Sequence, residues 1–367
     1  MGGKEIGVRS DVFFTFYFLL STFYFLFSGE ILEREGFMTH KALALLSGGL
    51  DSTIAIEIIL KMGIEVEAIN FISPFWRWNQ IKDYSHSAEI VTEKCGMKLK
   101  VFELGKEYLE MLKNPKYGYG KNINPCIDCR ILMLKKAKEY MTISEASFIV
   151  TGEVLGQRPM SQYRRAMEII DRESGLEGLV LRPLSAKLLK PTLPEEKGWV
   201  DREKLLSISG RSRKPQIQLA KELQINDYPS PAGGCLLTDP EFAKKMKDLL
   251  THTDAPSLID IEFLKIGRHF RLSEELKVVV GRNEEENERL LELGKDDVQV
   301  MVVNYKGPVV ICRGQIEPDN LLKAAAICAR YSDDKGKSGI RVIWDSHKEE
   351  ILNVCPIDEV EIEGLRI

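Results

Sequence analysis

The sequence predicts a doubly wound α/β domain with a mostly parallel sheet, followed by a smaller C-terminal α+β domain. Two junctions between a buried strand and a polar loop, within residues 42–61 and 146–162, predict the parallel sheet. A change near residue 258 to short, β-rich runs predicts the second domain. With 367 residues, the chain is long enough for two or three domains with their own hydrophobic cores.

The first predicted strand is ALALL at residues 42–46, because a continuous apolar run is typical of a parallel strand buried on both faces. After a turn, apolar residues return at helical spacing and indicate a helix that ends at Gly63. The alternating run at residues 64–72 then predicts a second strand. Together these elements form a βαβ unit.

The turn between this strand and helix is SGGLDS, which predicts an anion-binding cradle. Gly48 and Gly49 let the backbone approach an anion closely, and the helix start offers free N–H groups. Ser47 and Ser52 add hydroxyl donors. Asp51 suits a phosphate site only if a divalent cation bridges the two, and the alternative is that it caps the helix.

A second strand predicted at residues 148–150 leads into Thr151, Gly152 and Glu153, within the segment ASFIVTGEVLGQRPMSQ. The residue pattern is again that of a buried strand followed by a polar loop. The alternative interpretation of this segment is a strand-capping turn followed by polar residues that start a helix.

Three cysteines have neighbours that suggest chemistry. Cys126 and Cys129 precede a predicted helix in NPCIDCR, where we expect lowered thiol pKa values and two sulfurs able to reach one metal. Cys235 follows two glycines in PSPAGGCLLTD. Three separated thiolates can hold one [4Fe–4S] cluster with an open iron. One alternative is a redox disulfide between Cys126 and Cys129, and another is a persulfide on one of them that Cys235 resolves. The others are a structural zinc completed by a histidine such as His86, and inert thiols.

The segment LSISGRSRKPQIQLA concentrates Arg211, Arg213 and Lys214 within the basic part of the chain. Residues 181–250 carry a net charge of +4, whereas residues 251–367 carry −7 and the whole chain −4. We therefore expect these three side chains to contact RNA phosphates, with a solvated turn as the alternative.

The C-terminal segment begins with short β-rich runs and a Gly-Arg-Asn turn before an acidic helix. A hairpin is predicted around Lys306–Gly307, followed by a helix, a polar loop and a strand. Because the segment is acidic, any RNA contact there would need a local cluster such as Arg268, Arg271 and Arg282. A dimerisation or docking module is the alternative.

The cysteine count and the N-terminus bear on localisation. Seven cysteines in a long chain favour a reducing, cytoplasmic setting. Residues 12–28 are uncharged and rich in Phe and Tyr, a composition that is compatible with a short membrane span or with the apolar core of a signal peptide. Met38 opens a segment that runs directly into the first strand. We expect residues 1–37 to be a non-native or disordered extension, and no stable membrane association.

Two of these motifs resemble one enzyme family. SGGLDS resembles the pyrophosphate loop of the PP-loop ATPases, and TGEVLGQRPMSQ resembles the matching block of the tRNA 4-thiouridine synthases. The resemblance covers roughly residues 40–240 and implies an adenine nucleotide α-hydrolase-like fold that binds ATP with Mg²⁺. It implies that Asp51 assists through Mg²⁺ and that Thr151 and Gly152 lie against the nucleotide. The residues expected to bind the nucleotide are Ser47, Gly48, Gly49, Asp51, Ser52, Thr151 and Gly152.

The cysteines and the C-terminal segment resemble further families. Cys126, Cys129 and Cys235 resemble the set that holds a [4Fe–4S] cluster in the cluster-dependent tRNA thiolation enzymes, which implies metal-binding and catalytic roles for them. The persulfide-using 2-thiouridylases have Asp in place of Cys126, and this difference favours the cluster. The VGRN turn and the ARYS-to-strand segment are similar to the RNA-binding domain of the NFACT family.

The resemblance implies an ATP-dependent tRNA sulfurtransferase, which adenylates a uridine carbonyl and replaces its oxygen with sulfur. Its expected partners are tRNA and a sulfur donor, either sulfide, a desulfurase or a carrier protein, and a homodimer is compatible with the sequence. One alternative is a PP-loop enzyme that adenylates a small-molecule carbonyl or carboxylate, with zinc at the cysteines. Another is a non-catalytic RNA-binding factor. The domains expected are a PP-loop domain at 38–185, a basic connecting region at 186–255 and the C-terminal domain at 256–367.

Overall fold

The computed structural model describes residues 40–76, 78–226, 228, 235–333, 335, 337, 339–345 and 348–367. For residues 78–85 and 345 it describes the backbone only. The predicted extension at residues 1–37 lies outside the described residues, as do the two glycines before Cys235.

A five-stranded parallel sheet with strand order β3-β2-β1-β4-β5 forms the N-terminal domain. Its strands are β1 (Lys41–Leu45), β2 (Glu65–Ile72), β3 (Leu99–Glu103), β4 (Phe148–Thr151) and β5 (Val180–Leu181). The chain order reverses between β1 and β4, so these two neighbours define the switch point of a doubly wound sheet. The predicted parallel architecture and the first βαβ unit are confirmed.

Helices cover both faces of this sheet. They are α1 (Leu50–Leu60), α2 (Trp78–Cys95), α3 (Lys106–Lys113), α4 (Cys126–Ile143) and α5 (Arg164–Glu173). Alternate residues of β1 point to opposite cores, with Leu43 packed under α4 and Ala44 packed under α1. Burial on both faces explains why the strand sequence is apolar throughout.

The basic region after β5 packs onto the N-terminal domain. It contains α6 (Leu193–Glu196), α7 (Lys214–Glu222), α8 (Pro240–His252) and short 3₁₀ turns at Ala186–Leu188, Arg202–Lys204 and Leu236–Thr238. Val200 and Ala220 join the core beneath α1, whereas Leu237 and Met246 join the core beneath α4. Residues 186–255 therefore extend both cores of the sheet domain.

A six-stranded antiparallel sheet, in the order β11-β10-β8-β9-β7-β6, forms the C-terminal domain. Its strands are β6 (Arg268–Arg271), β7 (Leu276–Val280), β8 (Val298–Val302), β9 (Val310–Gly314), β10 (Ile340–Asp345) and β11 (Lys348–Leu352). Its helices are α9 (Leu258–Leu264), α10 (Glu284–Leu293), α11 (Pro318–Tyr331) and α12 (Glu359–Leu365). The predicted hairpin around Lys306–Gly307 is confirmed as the β8–β9 pair.

Helix α9 connects the two domains. Ser257 and Asp260 form a capping box at its start, which satisfies the first backbone donors. Ile261 then packs into the first domain's core, whereas Phe263 packs into the core of the second domain. In the chain as described, no helix combines the length and the apolar character that crossing a membrane requires.

Candidate active site

The two sequence motifs meet at the switch point of the parallel sheet. SGGLDS follows β1, and Thr151–Gly152 ends β4, its direct neighbour. A Cβ atom added to Gly152 would lie 2.4 Å from the backbone N of Ser52 and 2.6 Å from the carbonyl O of Asp51. Only glycine therefore allows this close approach of the two loops. Ligands of doubly wound folds bind in the crevice at this point.

The SGGLDS turn is organised by its own hydroxyl groups. Gly48 has a φ of +75°, a conformation that favours glycine. The Ser47 backbone N–H donates to Ser52 Oγ at 3.3 Å, and Ser52 Oγ donates to the Gly49 carbonyl at 2.8 Å. Gly49 is the N-cap of α1 and has no side chain that could block the helix start. This arrangement leaves an anion free access to the positive end of α1.

Asp51 lies within the first turn of α1, so the alternative that it caps the helix is wrong. Its Oδ2 accepts a hydrogen bond from Gln157 Nε2 at 2.7 Å. Its Oδ1 is buried and accepts no hydrogen bond from any residue that the structure describes. A buried carboxylate oxygen in this state can ligate a cation or accept from a ligand.

Gln157 and Arg158 connect the turn to the cysteines. Gln157 contacts Asp51, and the backbone N–H of Arg158 donates to Gln162 Oε1 at 3.0 Å. The Arg158 charge acts to lower the thiol pKa values of Cys126 and Cys235, although burial outweighs it. Sequence reasoning did not single out either residue, although both lie within the quoted LGQR segment.

The three predicted cysteines come together around one tyrosine. Cys126 and Cys129 lie in the first turn of α4, and Cys235 immediately precedes the 3₁₀ turn Leu236–Thr238. The hydroxyl of buried Tyr108 hydrogen-bonds with Cys129, and burial together with all three neighbouring thiols raises the Tyr108 pKa. All three thiols thus lie close enough to Tyr108 to act on its hydroxyl, and the Arg158 charge acts on Cys126 and Cys235.

The prediction of lowered thiol pKa values is wrong. Burial raises the pKa of Cys126, raises that of Cys129 to about 11 and raises that of Cys235 to about 12. The nearby arginines and, at Cys129, the Tyr108 hydroxyl act in the opposite direction but do not compensate. Burial destabilises the thiolate form more than the positive end of the helix stabilises it.

The thiols match a [4Fe–4S] cluster in number and type but not in arrangement. Among the residues that the structure describes, no group of three or more His, Cys, Asp or Glu side chains is placed to hold a metal ion. His86, the predicted fourth zinc ligand, lies exposed on α2 with its ring 4.0 Å from Glu89. The side chains as placed thus form no ligand set for a cluster or for zinc.

A buried ion-pair network supports this site, and sequence reasoning missed it. Glu153, only 2% exposed, accepts from Arg130 at 2.9 Å and from Arg182 at 3.0 Å. Arg182 also forms two hydrogen bonds with Asp171, at 2.7 and 2.8 Å. Burial alone would raise the Glu153 pKa, but the two guanidiniums lower it to about 2. The sequence signal for this network was the position of Arg130 directly after Cys129 in CIDCR.

Thr151 is placed differently from its expected role. Its side chain is 2% exposed, and Oγ1 lies 3.4 Å from Glu153 Oε2. Thr151 thus faces the ion-pair network, whereas Gly152 provides the contact with the SGGLDS turn. Nucleotide binding by the Thr151 side chain stays a prediction.

The basic segment lies beside the same loops. The Gly210 N–H donates to the Leu155 carbonyl at 2.7 Å, which joins this segment to the loop after β4. Arg211 and Lys214 are exposed, as phosphate contact requires. Arg213 is half-buried, and within the described structure its Nε has no hydrogen-bond partner.

The C-terminal arginines proposed as an RNA cluster all have intramolecular partners. Arg268 lies over the ring of Tyr331, with its guanidinium carbon 4.7 Å from the ring centre. Arg271 binds Asp248 at 2.6 Å. Arg282 pairs with Glu286 at the start of α10. The three side chains therefore stabilise the folded domain rather than form a free basic cluster.

Comparison with family models identifies both domains. Residues 37–187 match the model described as thiamine biosynthesis protein (ThiI). They are a ThiI-family domain. Residues 267–366 match the model described as NFACT protein RNA binding domain, which confirms the second resemblance.

Curated relatives each match part of this chain. A probable tRNA sulfurtransferase of Thermococcus kodakarensis is 33% identical over 153 residues, which is 39% of this chain and 36% of that protein. The tRNA-specific 2-thiouridylase MnmA of Fervidobacterium nodosum is 24% identical over 246 residues, 63% of this chain and 66% of that protein. The chain thus spans about a third of the first of these relatives.

Two solved structures each match 62% of this chain. One is a 4-thiouridine synthetase–RNA complex with bound ATP, at 21% identity over 52% of that chain and a TM-score of 0.35. The other is the U34-tRNA thiolase NcsA from Methanococcus maripaludis with its [4Fe–4S] cluster, at 17% identity over 70% of that chain and a TM-score of 0.33.

Proposed function

We propose that this protein is an ATP-dependent tRNA sulfurtransferase that adenylates a uridine carbonyl and replaces its oxygen with sulfur. One observation carries the proposal: the Gln157–Arg158 loop contacts Asp51 of the SGGLDS turn on one side and lies beside the cysteines on the other. An adenylation site and a sulfur site must share one substrate carbon, so they must be neighbours. The ThiI-family domain and its thiolating relatives support the same reaction.

In the first step, the uridine carbonyl oxygen attacks the α-phosphate of ATP, and pyrophosphate leaves. The free N–H groups at the start of α1 and the Ser47 hydroxyl would stabilise the charge that builds on this leaving group, while Ser52 holds the turn in place through its bond to the Gly49 carbonyl. Asp51 Oδ1, which is unpartnered in the structure as described, would hold Mg²⁺ on the phosphates. Gly152 keeps the second loop close enough to close the site.

In the second step, sulfur adds to the activated carbon and AMP departs with the former carbonyl oxygen. Cys126, Cys129 and Cys235 are the residues that would carry this sulfur. To hold a [4Fe–4S] cluster, these three side chains would have to move from the positions that the structure gives them, and such a cluster would supply sulfide for the reaction. A cysteine persulfide is the alternative carrier, with a neighbouring thiol forming the disulfide that releases the sulfur.

Transfer RNA would be held by two surfaces. Arg211 and Lys214 are exposed beside the loop after β4 and would contact phosphates near the reacting base. The NFACT-type domain would hold a more distant part of the RNA. A sulfur donor, whether sulfide, a desulfurase or a carrier protein, and a homodimer remain part of the proposal.

The test is pyrophosphate exchange into ATP, measured with and without tRNA transcripts, together with mercury-gel retardation of the product RNA. We expect exchange that requires a transcript, and RNA that is retarded only when a sulfur donor is supplied, either sulfide or a desulfurase that carries a persulfide. Asp51→Asn should abolish exchange, and Cys355→Ala, a change at an exposed cysteine, should leave both readouts intact. Exchange without transcript would favour adenylation of a small molecule and would contradict the proposal.

The sulfur carrier is tested separately by anaerobic purification, with iron and acid-labile sulfide assayed. About four irons per chain, lost in each of the Cys126→Ala, Cys129→Ala and Cys235→Ala variants, would support the cluster. Metal-free protein that thiolates RNA with a persulfide-bearing desulfurase but not with sulfide would instead support persulfide transfer. Stoichiometric zinc would contradict both carriers.

A further inference from the structure

A chain of two side-chain hydrogen bonds leads from α7 to the acidic residue of the SGGLDS turn. Gln216 lies in α7, which packs against α1, and its side chain is fully buried. Its Nε2 donates to Gln157 Oε1 at 3.2 Å, and Gln157 Nε2 donates to Asp51 Oδ2 at 2.7 Å. The steps of the proposed reaction give a chemical role to Asp51 but none to Gln157 or Gln216.

The order of donors and acceptors gives Gln216 a specific effect. A glutamine amide can rotate about its last bond and exchange its oxygen for its nitrogen. The Gln216 donor favours the orientation in which Gln157 turns its oxygen away from Asp51 and its nitrogen toward it. Without that donor, the Gln157 oxygen loses its partner, and the Gln157 side chain keeps only its bond to Asp51.

The held carboxylate has one oxygen left for a ligand. Gln157 occupies Asp51 Oδ2, whereas Oδ1 is buried and unpartnered among the described side chains and backbone. This oxygen lies at the start of α1, beside the close contact with Gly152. Oxygen ligands of this kind suit the hard divalent cation that accompanies nucleotide phosphates.

We infer that Gln216 is a positioning residue of the nucleotide site, which acts through Gln157 to hold Asp51 with Oδ1 free to ligate a divalent cation. The inference rests on the proposed function, because it takes SGGLDS as the nucleotide site. It also divides the basic segment, since the buried Gln216 serves the nucleotide while the exposed Arg211 and Lys214 serve RNA.

The test compares Gln216→Leu, Gln157→Leu and the double variant with a matched control. Gln218→Leu is that control, because Gln218 is exposed on the same helix and binds Glu222 at 3.0 Å. Binding of Mn²⁺ to the protein with a non-hydrolysable ATP analogue is followed by electron paramagnetic resonance, and analogue affinity is measured without metal. Circular dichroism checks folding, and Gln216→Glu replaces Gln216→Leu if the leucine variant fails to fold.

We expect Gln216→Leu to weaken Mn²⁺ binding about tenfold, the effect of losing one buried hydrogen bond at its upper range. Analogue affinity without metal should change less than about twofold, and the double variant should be no weaker than Gln157→Leu alone. Unchanged Mn²⁺ affinity in Gln216→Leu, or independent losses that add in the double variant, would overturn the inference.

The same experiment separates this inference from the proposed function. If the metal effects appear but the native protein exchanges no pyrophosphate, the positioning role stands and the reaction is wrong. If exchange occurs and Gln216→Leu binds Mn²⁺ normally, the reaction stands and the positioning role is wrong. If the native protein binds no nucleotide, both are overturned.

Discussion

Replacing Glu153 by glutamine should destabilise the folded protein by roughly 3 kcal/mol at neutral pH. Glu153 is buried between Arg130 and Arg182, so the change leaves two guanidiniums beside a neutral amide. Asp171 still pairs with Arg182, which keeps the cost at the lower end of the range for a broken buried ion pair. The lowered pKa gives the same magnitude, since a fall from 4.5 to about 2 corresponds to roughly 3 kcal/mol.

The pH dependence provides a sharper test than the magnitude. Because the folded-state pKa of Glu153 is depressed, its stabilisation is complete above pH 4.5 and is lost as the pH falls toward about 2. The difference in unfolding free energy between the native protein and Glu153→Gln should therefore shrink from roughly 3 kcal/mol at pH 7 to roughly 2 kcal/mol at pH 3.5.

Urea unfolding followed by circular dichroism at the two pH values measures this difference. Glu139→Gln is the matched control, because Glu139 lies exposed on α4, the helix that carries Arg130. That control should change stability by less than about 0.5 kcal/mol. A loss below about 1 kcal/mol at pH 7, or a difference that grows on acidification, would refute the role assigned to the buried ion pairs.

Three further outcomes follow from the site. Gly152→Ala should weaken ATP binding at least about tenfold, because the added Cβ would collide with the SGGLDS turn. Gly364→Ala is the control and should leave ATP affinity unchanged, because a Cβ there meets nothing within 4 Å. Unaltered ATP affinity in Gly152→Ala would contradict the close approach of the two loops. At pH 8, Cys129 should react with iodoacetamide at least about tenfold more slowly than exposed Cys355, as measured by mass-spectrometric peptide mapping. The reaction rate of Cys129 should increase as the pH rises toward 11, because more of its thiol is then ionised. Arg211→Ala should weaken RNA binding and lower the slope of log affinity against log salt by about 1, and an unchanged slope would place the phosphate contact elsewhere.

The fold was largely predictable because its strands and helices have local signatures. Burial on both faces makes β1 a continuous apolar run, and the helix after Cys129 shows its buried face at Ile131, Leu134 and Ala137. The extent of the first domain was harder to predict. Residues 186–255 were predicted as a basic connecting region, and their scattered apolar residues complete the cores on both faces of the sheet.

The candidate site was predictable in its motifs but not in its connections. SGGLDS and Gly152 follow neighbouring strands, so chain topology alone brings them together. The hydrogen bonds among Asp51, Gln157 and Gln216 depend on how two loops and a helix pack, and no local spacing encodes that. The thiol pKa values were mispredicted for a similar reason, because a helix start is visible in sequence whereas the burial that outweighs it is a tertiary property.

Two ion pairs connect the C-terminal sheet to α8, the helix that follows Cys235. Asp248 lies on α8, which begins five residues after Cys235 and belongs to the first core. It binds Arg271 at 2.6 Å and Lys277 at 3.1 Å, both from the C-terminal sheet. These two cations are therefore bound within the protein and are not free to contact RNA phosphates. Under the proposed function, RNA held by the C-terminal domain would be positioned relative to Cys235 through α8 and its two ion pairs.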